Sequence, residues 1–288
     1  MTVEVSRPDW AELPFGDHVL AEGPRWDPRR RRLSWVDILS GTVSWSTWHH
    51  DGWGAATRHR VGRMPTAAEP LPDRDGWAIA VDGAIRVLDA DGGLGPAVPV
   101  SPDFPEVRTN DMIAAPGGRL VVGLLTEDRV SARGGLVSVE LGSGRTTVLA
   151  DGYIAANGLA VAADEQTLYA VDTGRGTISR HALDGGGESA VVVSHTGPGV
   201  FDGIVLGPEG DLWVAVWGAG EVHRYSTKGV LQQVLRTPVA QPSALALVDV
   251  GGLPRLVLTT ARADQTPKRR LTPDAEGRLY WATLPEGR

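Results

Sequence analysis

The sequence predicts an all-β fold: a six-bladed β-propeller with four-stranded antiparallel blades around a central channel, in a single domain spanning residues 1–288. Three observations carry this reading. Six apolar, strand-like cores recur, and their second residues are Leu33, Trp77, Leu120, Leu168, Leu212 and Leu256, at intervals of 44, 43, 48, 44 and 44 residues. Most cores are followed by a glycine turn and an alternating strand. The 37 glycines and 20 prolines fall at turn-like positions between short apolar runs, which favours many short strands over long helices. A period of about 40–45 residues holding four strands marks a propeller blade, whereas helical repeats need a 3.6-residue periodicity that these segments lack.

Each unit can be justified in turn. The stretch AEGPRWDPRRRRLSWVDILSGTVSW, residues 21–45, is the template: strand, hairpin, strand, hairpin, strand. Its copies are GWAIAV followed by GAIRVLD, RLVVGLL followed by GGLVSVEL, TLYAVDT followed by GTISRHAL, DLWVAVW followed by GEVHRYS, and RLVLTTA followed by GRLYWATL. Short segments such as TTVLA and QQVLR supply fourth strands. The 48-residue interval places extra length at LTEDRVSARGG, a loop on blade three. The N-terminal segment to about Pro14 and the C-terminal GRLYWATL are expected to share one blade and so close the ring.

Composition bounds the function. A formal net charge of -7 and a pI near 5.5 give no global attraction to nucleic acid or anionic membrane, so a small-molecule partner is expected. No cysteine is present, which removes disulfides, thiolate metal sites and a cysteine nucleophile. The N-terminus has no basic start with an apolar run, and no stretch approaches a membrane span, so the chain is read as cytoplasmic, a monomer or small homo-oligomer. Arg29 to Arg32 form a charged turn between two strands. The His49-His50 pair and Trp45, Trp48 and Trp53 fall in an outer hairpin, and Trp213 reads as core. No H-E-x-x-H, G-x-S-x-G or phosphate-binding G-x-x-x-x-G-K occurs.

The repeat also exposes a candidate site. Counting back 10 or 11 residues from each landmark finds Glu22, Thr66 or Ala67, Asn110, Asn157 and Asp202, with Ser243 out of register in blade six. Matching positions ahead of the innermost strands approach one another around the axis of a propeller. Two carboxylates at about 4 Å repel by roughly 4 kcal/mol at an effective dielectric near 20, and a divalent cation reverses that sign. All-oxygen ligation suits one hard cation, Ca²⁺ first or Mg²⁺, with Mn²⁺ and Zn²⁺ as alternative occupants. Taken singly, Asn157-Gly158 and Asp202-Gly203 are also ordinary turn formers.

At these residues the chain resembles the senescence marker protein, gluconolactonase and luciferin-regenerating-enzyme family. The resemblance runs through EGPRWD…LSWVDI, RTND, NGLAVAADEQTLYAVDT, FDGIVLGPEGDLWVAVWGAG and LVLTTAR. It implies a six-bladed propeller of metal-dependent hydrolases, many acting on sugar lactones, with one divalent metal at the channel mouth. Glu22, Asn157 and Asp202 then match the family's metal ligands, and Asp202 also its proposed general base. Arg108 and Asn110 match its substrate-binding Arg-x-Asn, and Glu127 and Asp128 fall where some members present a substrate-contacting acid. The chain departs from the family at Met112 and at Gly123-Leu124-Leu125, which suggests a more apolar mouth. The resulting expectation is a metal-dependent lactone hydrolase. The alternatives are another metal-dependent reaction on a specialised metabolite, such as cyclisation or isomerisation, and a propeller that only binds.

Overall fold

Strands whose two faces are both covered read as continuous apolar runs, and this is how the second strand of each blade is built. The computed structural model describes residues 3–100, 106–262 and 275–284. All their regular structure is strand. The chain opens with β1 (Glu4–Ser6) and β2 (Ala11–Glu12). Blade one is β3 (Ala21–Asp27), β4 (Arg32–Asp37), β5 (Thr42–Thr47) and β6 (Thr57–Arg60). Blade two is β7 (Pro65–Pro70), β8 (Gly76–Val81), β9 (Ala84–Asp89) and β10 (Val98–Pro99). Blade three is β11 (Val107–Ala115), β12 (Arg119–Thr126), β13 (Gly134–Glu140) and β14 (Thr146–Tyr153). Blade four is β15 (Ala156–Val161), β16 (Thr167–Asp172), β17 (Thr177–Ala182) and β18 (Ala190–Ser194). Blade five is β19 (Val200–Leu206), β20 (Leu212–Trp217), β21 (Glu221–Tyr225) and β22 (Leu231–Arg236). Blade six is β23 (Pro242–Val250), β24 (Leu253–Thr260) and β25 (Leu279–Thr283), completed by β2.

The first strands of the blades touch in the order β3, β7, β11, β15, β19, β23 and back to β3, which closes a ring and makes the molecule a six-bladed β-propeller. An apolar cluster fills each gap between adjacent blades. Phe15 stacks on Trp35 between blades six and one, and Trp45 stacks on Trp77 between blades one and two. Trp213 is fully buried, as its place on β20 implies. Trp48 and Trp53 pack edge to face and join Trp26 and Trp281 in an outer aromatic patch.

The expected closure is present: β2 pairs antiparallel with β25, with Ala11 opposite Trp281 and Glu12 opposite Tyr280. One element departs from the four-stranded pattern. β1 adds a fifth strand to blade five, parallel to β22, with Glu4 opposite Gln233. The outer edge of a sheet offers unpaired backbone groups, and a strand that covers them removes a site of aberrant pairing. The arginine turn of blade one is tied down: Arg30 pairs with Asp27, Arg32 pairs with Asp75 on blade two, and Arg29 donates to the Pro72 carbonyl at 2.6 Å.

Candidate functional site

Every first strand loses register with its neighbour at one matching place. The breaks lie between Glu22 and Arg25, Pro65 and Ala67, Thr109 and Met112, Ala156 and Leu159, Phe201 and Ile204, and Pro242 and Leu245. An extra residue in one strand bends it and re-aims a side chain. The six breaks therefore turn the residues picked out by the repeat, Thr66, Asn110, Asn157, Asp202 and Ser243, out of the ladder, and leave Glu22 at the edge of its own break. Asn157-Gly158 and Asp202-Gly203 lie within β15 and β19 and not in turns. The glycines serve close approach: a Cβ on Gly203 would lie 2.4 Å from the Ala244 Cβ, and one on Gly158 would lie 2.4 Å from the Ile204 nitrogen.

Asn157 and Asp202 are brought into direct contact, the amide Nδ2 donating to Asp202 Oδ1. The same Nδ2 donates to Thr173 Oγ1 at 3.0 Å, and the Thr173 hydroxyl donates to the Phe201 carbonyl at 2.8 Å. Because that hydroxyl's proton is spent on Phe201, its oxygen must accept, which fixes the orientation of the Asn157 amide. Among the described residues Asn157 Oδ1 carries no hydrogen bond. Glu22 likewise receives the Gly23 N–H on Oε2 at 3.0 Å and keeps Oε1. Burial first, then the neighbouring Asp202 charge, push the Glu22 carboxyl well above the ordinary carboxylate range. Burial pushes Asp202 up to about 7, with the Asn157 bond opposing and Asp111 adding to the rise.

These observations test whether the residues suit a hard divalent cation, and they do. Two carboxylates are held where their charges are disfavoured, and an amide is locked with its oxygen unspent. Among the described residues no three His, Cys, Asp or Glu side chains gather as a metal site, because the third donor here is an amide. A groove of about 1410 Å³ between blades two and three lies beside Glu69, Pro70 and Ala115, at the far end of the first strands from the ring.

Arg108 and Asn110 lie on β11 as one unit. Arg108 Nη1 donates to the Thr109 carbonyl at 2.9 Å and to Asn110 Oδ1 at 3.3 Å, and Asn110 Nδ2 donates to the Ala156 carbonyl at 3.0 Å. Both ends of the Asn110 amide are thus engaged, and among the described residues Arg108 Nε and Nη2 carry no hydrogen bond. Burial, then Arg129, lower the Arg108 pKa. Asp128 is tied into its own loop. Its Oδ1 caps Val130 and Ser131, each at 3.0 Å, and its Oδ2 takes the Ser131 hydroxyl, so the carboxylate serves its own turn. Those bonds hold it far below the ordinary range. Arg129, in the same loop with φ of 50° or so in the left-handed region, is the residue whose charge reaches Asp202 and Arg108.

The suggestion of a more apolar mouth does not hold for the departures that prompted it. Met112 and Leu124 are 0% exposed and pack into the cluster between blades two and three, and Leu125 is 3% exposed. The residues that the repeat did not single out are Thr173, Arg129, Arg25 and Asp111. Arg25 and Asp111 had one local signal, since each stands within three residues of a ring position.

A family model described as the SMP-30/Gluconolactonase/LRE-like region matches residues 20–262. Pentonolactonase XacC of Haloferax volcanii is 31% identical over 275 residues, covering 91% of this chain and 89% of that protein. The 6-deoxy-6-sulfogluconolactonase of Pseudomonas putida is 28% identical over 267 residues, covering 86% and 85%. Among solved structures, regucalcin from Agrobacterium tumefaciens, described as a calcium-binding protein, superposes with a TM-score of 0.87 at 27% identity, over 98% of this chain and 95% of that one.

Proposed function

The chain belongs to the SMP-30/gluconolactonase/LRE-like family, and from that premise we propose that it hydrolyses lactones of the sugar-lactone class with the help of one divalent cation, calcium first. Glu22, Asn157 and Asp202 would hold the ion. The observation that carries the reading is the locked Asn157 amide between Thr173 and Asp202, whose oxygen carries no hydrogen bond among the described residues, next to an Asp202 carboxylate that is disfavoured as a bare anion and whose charge reaches Glu22. Further support comes from the lactonases among its relatives and from the calcium-binding protein among its structural neighbours.

A lactone is a neutral, activated ester whose hydrolysis builds negative charge on the carbonyl oxygen. When bound, the cation supplies a Lewis acid for that oxygen and makes a nearby water more acidic. Asp202 accepts the proton of the attacking water, a role that needs its carboxylate form. Asn157 orients that carboxylate through its Nδ2. Arg108, steadied by the Thr109 carbonyl and Asn110, presents its remaining N–H groups to the substrate's hydroxyls or to the developing oxyanion. Asn110 steadies Arg108 through Oδ1 and keeps a second N–H and a second lone pair for the substrate. Asp128 braces the loop that carries Arg129 and, being exposed, can also meet a substrate hydroxyl.

The test is a panel of sugar and aliphatic lactones assayed with and without chelator, beside Asp202→Asn. Chelation should abolish turnover and calcium or manganese should restore it, and Asp202→Asn should lower kcat/KM by about 100-fold or more. Turnover that survives both treatments would rule this mechanism out. Metal bound without hydrolysis of any lactone would rule out the substrate class.

A further inference from the structure

Three residues after Glu22, β3 carries Arg25, and its guanidinium bonds across three blades. Nε meets Glu69 of blade two, Nη2 meets Asp111 of blade three at 3.0 Å and the Met112 carbonyl at 2.7 Å, and Nη1 meets the Pro24 carbonyl at 3.1 Å. Asp111 continues the chain of bonds. Its Oδ1 also accepts the Met112 N–H at 2.8 Å, and its Oδ2 accepts the Leu159 N–H of blade four at 3.0 Å. The three side chains are 15%, 8% and 13% exposed, so the cluster is removed from bulk water.

The positions of its members matter more than their number. Arg25 shares a strand break with Glu22, Asp111 follows Asn110, and Leu159 lies two residues past Asn157. A single bonded cluster therefore links the strands that carry Glu22, Asn110 and Asn157, and Asn157 passes the link on to Asp202. The cluster also marks a boundary in the channel. Beyond Arg25, a cavity of about 380 Å³ is lined by apolar side chains such as Ile113, Leu159, Ile204 and Leu245. The ring of oxygen donors lies on the other side.

We propose that Arg25 is a positioning residue for the cation site: its bridge to Glu69 and Asp111 holds the first strands of blades one to four in the relation that sets Glu22 against Asn157 and Asp202. The inference rests on the cation reading above. Arg25 also keeps Asp111 and Glu69 compensated. Without it, two buried carboxylates would stand unpaired beside the ring, and breaking a buried pair by removing one partner is a costly change. Outer groups that orient ligands commonly change metal affinity by 10–100-fold when lost.

The experiment compares wild type with Arg25→Met, Arg25→Lys and Glu69→Gln, each stripped with chelator and dialysed. Calcium and manganese affinity is read by titration calorimetry, and the melting temperature of the metal-free protein is read separately. Arg25→Met should bind the cation about 10–100-fold more weakly. Arg25→Lys, which keeps the charge but cannot fork between two carboxylates, should recover part of that loss. If Arg25→Met fails to fold, Glu69→Gln, which keeps the bond to Asp111, should still weaken cation binding several-fold. Unchanged affinity in the folded variants overturns the proposal, even where the melting temperature falls, because that pattern belongs to a purely structural role. A wild type that binds no divalent cation overturns the cation reading and this proposal with it, whereas a wild type that binds while its variants bind equally overturns this proposal alone.

Discussion

Two side chains, one buried and one half-buried, show how single groups set the chemistry of this molecule. His18 is 1% exposed, its Nδ1 faces the Gly277 carbonyl at 3.2 Å, and its Nε2 receives the Trp35 indole N–H at 2.8 Å and faces Arg58 Nη2 at 3.2 Å. That pattern requires a neutral ring with the proton on Nδ1. Burial, then the Arg58 charge, lower its pKa to about 4. The unfolded chain therefore binds more protons between pH 4 and about 6.5, so this contribution to stability is complete above pH 6.5 and is lost as pH falls toward 4. The loss amounts to about 3 kcal/mol at most. Urea unfolding at pH 7 and pH 4.5 should show it, and His18→Gln should flatten the difference; an equal pH slope in both proteins would refute the assignment. Thr173 is the second case. Thr173→Val keeps the shape but removes the group that fixes the Asn157 amide. Cation affinity should fall about 10-fold in calorimetric titration, with little change in melting temperature.

At the scale of the strand, the repeated break in register turns a scaffold into a site. Gly203 is as tight a point as Gly158, because the backbone of blade five there meets Ala244 of blade six. Gly203→Ala should cost about 1–3 kcal/mol through overpacking, visible as a lowered melting temperature, and should shift Asp202 enough to weaken cation binding as well. A variant as stable as wild type would show that the blades can part at no cost. Much of this was legible in the chain. The second strand of each blade is covered on both faces, so its apolar run stands out and yields the period, and in blades one to five the site position lies 10 or 11 residues ahead of its landmark. That is why Glu22, Asn110, Asn157 and Asp202 could be found together. The Arg25 bridges were not legible, because Glu69 and Asp111 are 44 and 86 residues away, and the nearness of Arg25 and Asp111 to ring positions does not say that the two side chains meet. Met112 and Leu124 misled for a related reason. Met112 closely follows Asn110 in the chain and Leu124 stands opposite Thr109 across the β11–β12 ladder, yet both side chains are fully buried in the cluster between blades two and three. Asp128 is suggested as a substrate group only by the resemblance to the family, and its bonds to Val130 and Ser131, which also tie it into its own turn, have no signature in the sequence.

Across the whole molecule, the ring is held by its two ends. β2 completes blade six against β25, and Leu13 and Phe15 fill the gap between blades six and one. Removing residues 1–12 would bare the edge of β25 and expose that gap, so the truncated protein should melt about 5 °C lower or more and aggregate on heating. Equal melting temperatures would show that the closure contributes nothing. The small strand β1 bears on how such a ring can be made at all. During synthesis, Arg278, 266 positions further along the chain, reaches its partner Glu12 only after everything between them has been laid down. Blade five is complete well before that, and β1 can settle on β22 while Trp10 donates its indole N–H to the Arg236 carbonyl at 2.9 Å. The beginning of the chain is then moored one blade short of its destination. It holds β2 out as a template, so that the last strand to emerge meets a partner already in place and the search that closes the circle becomes a local one.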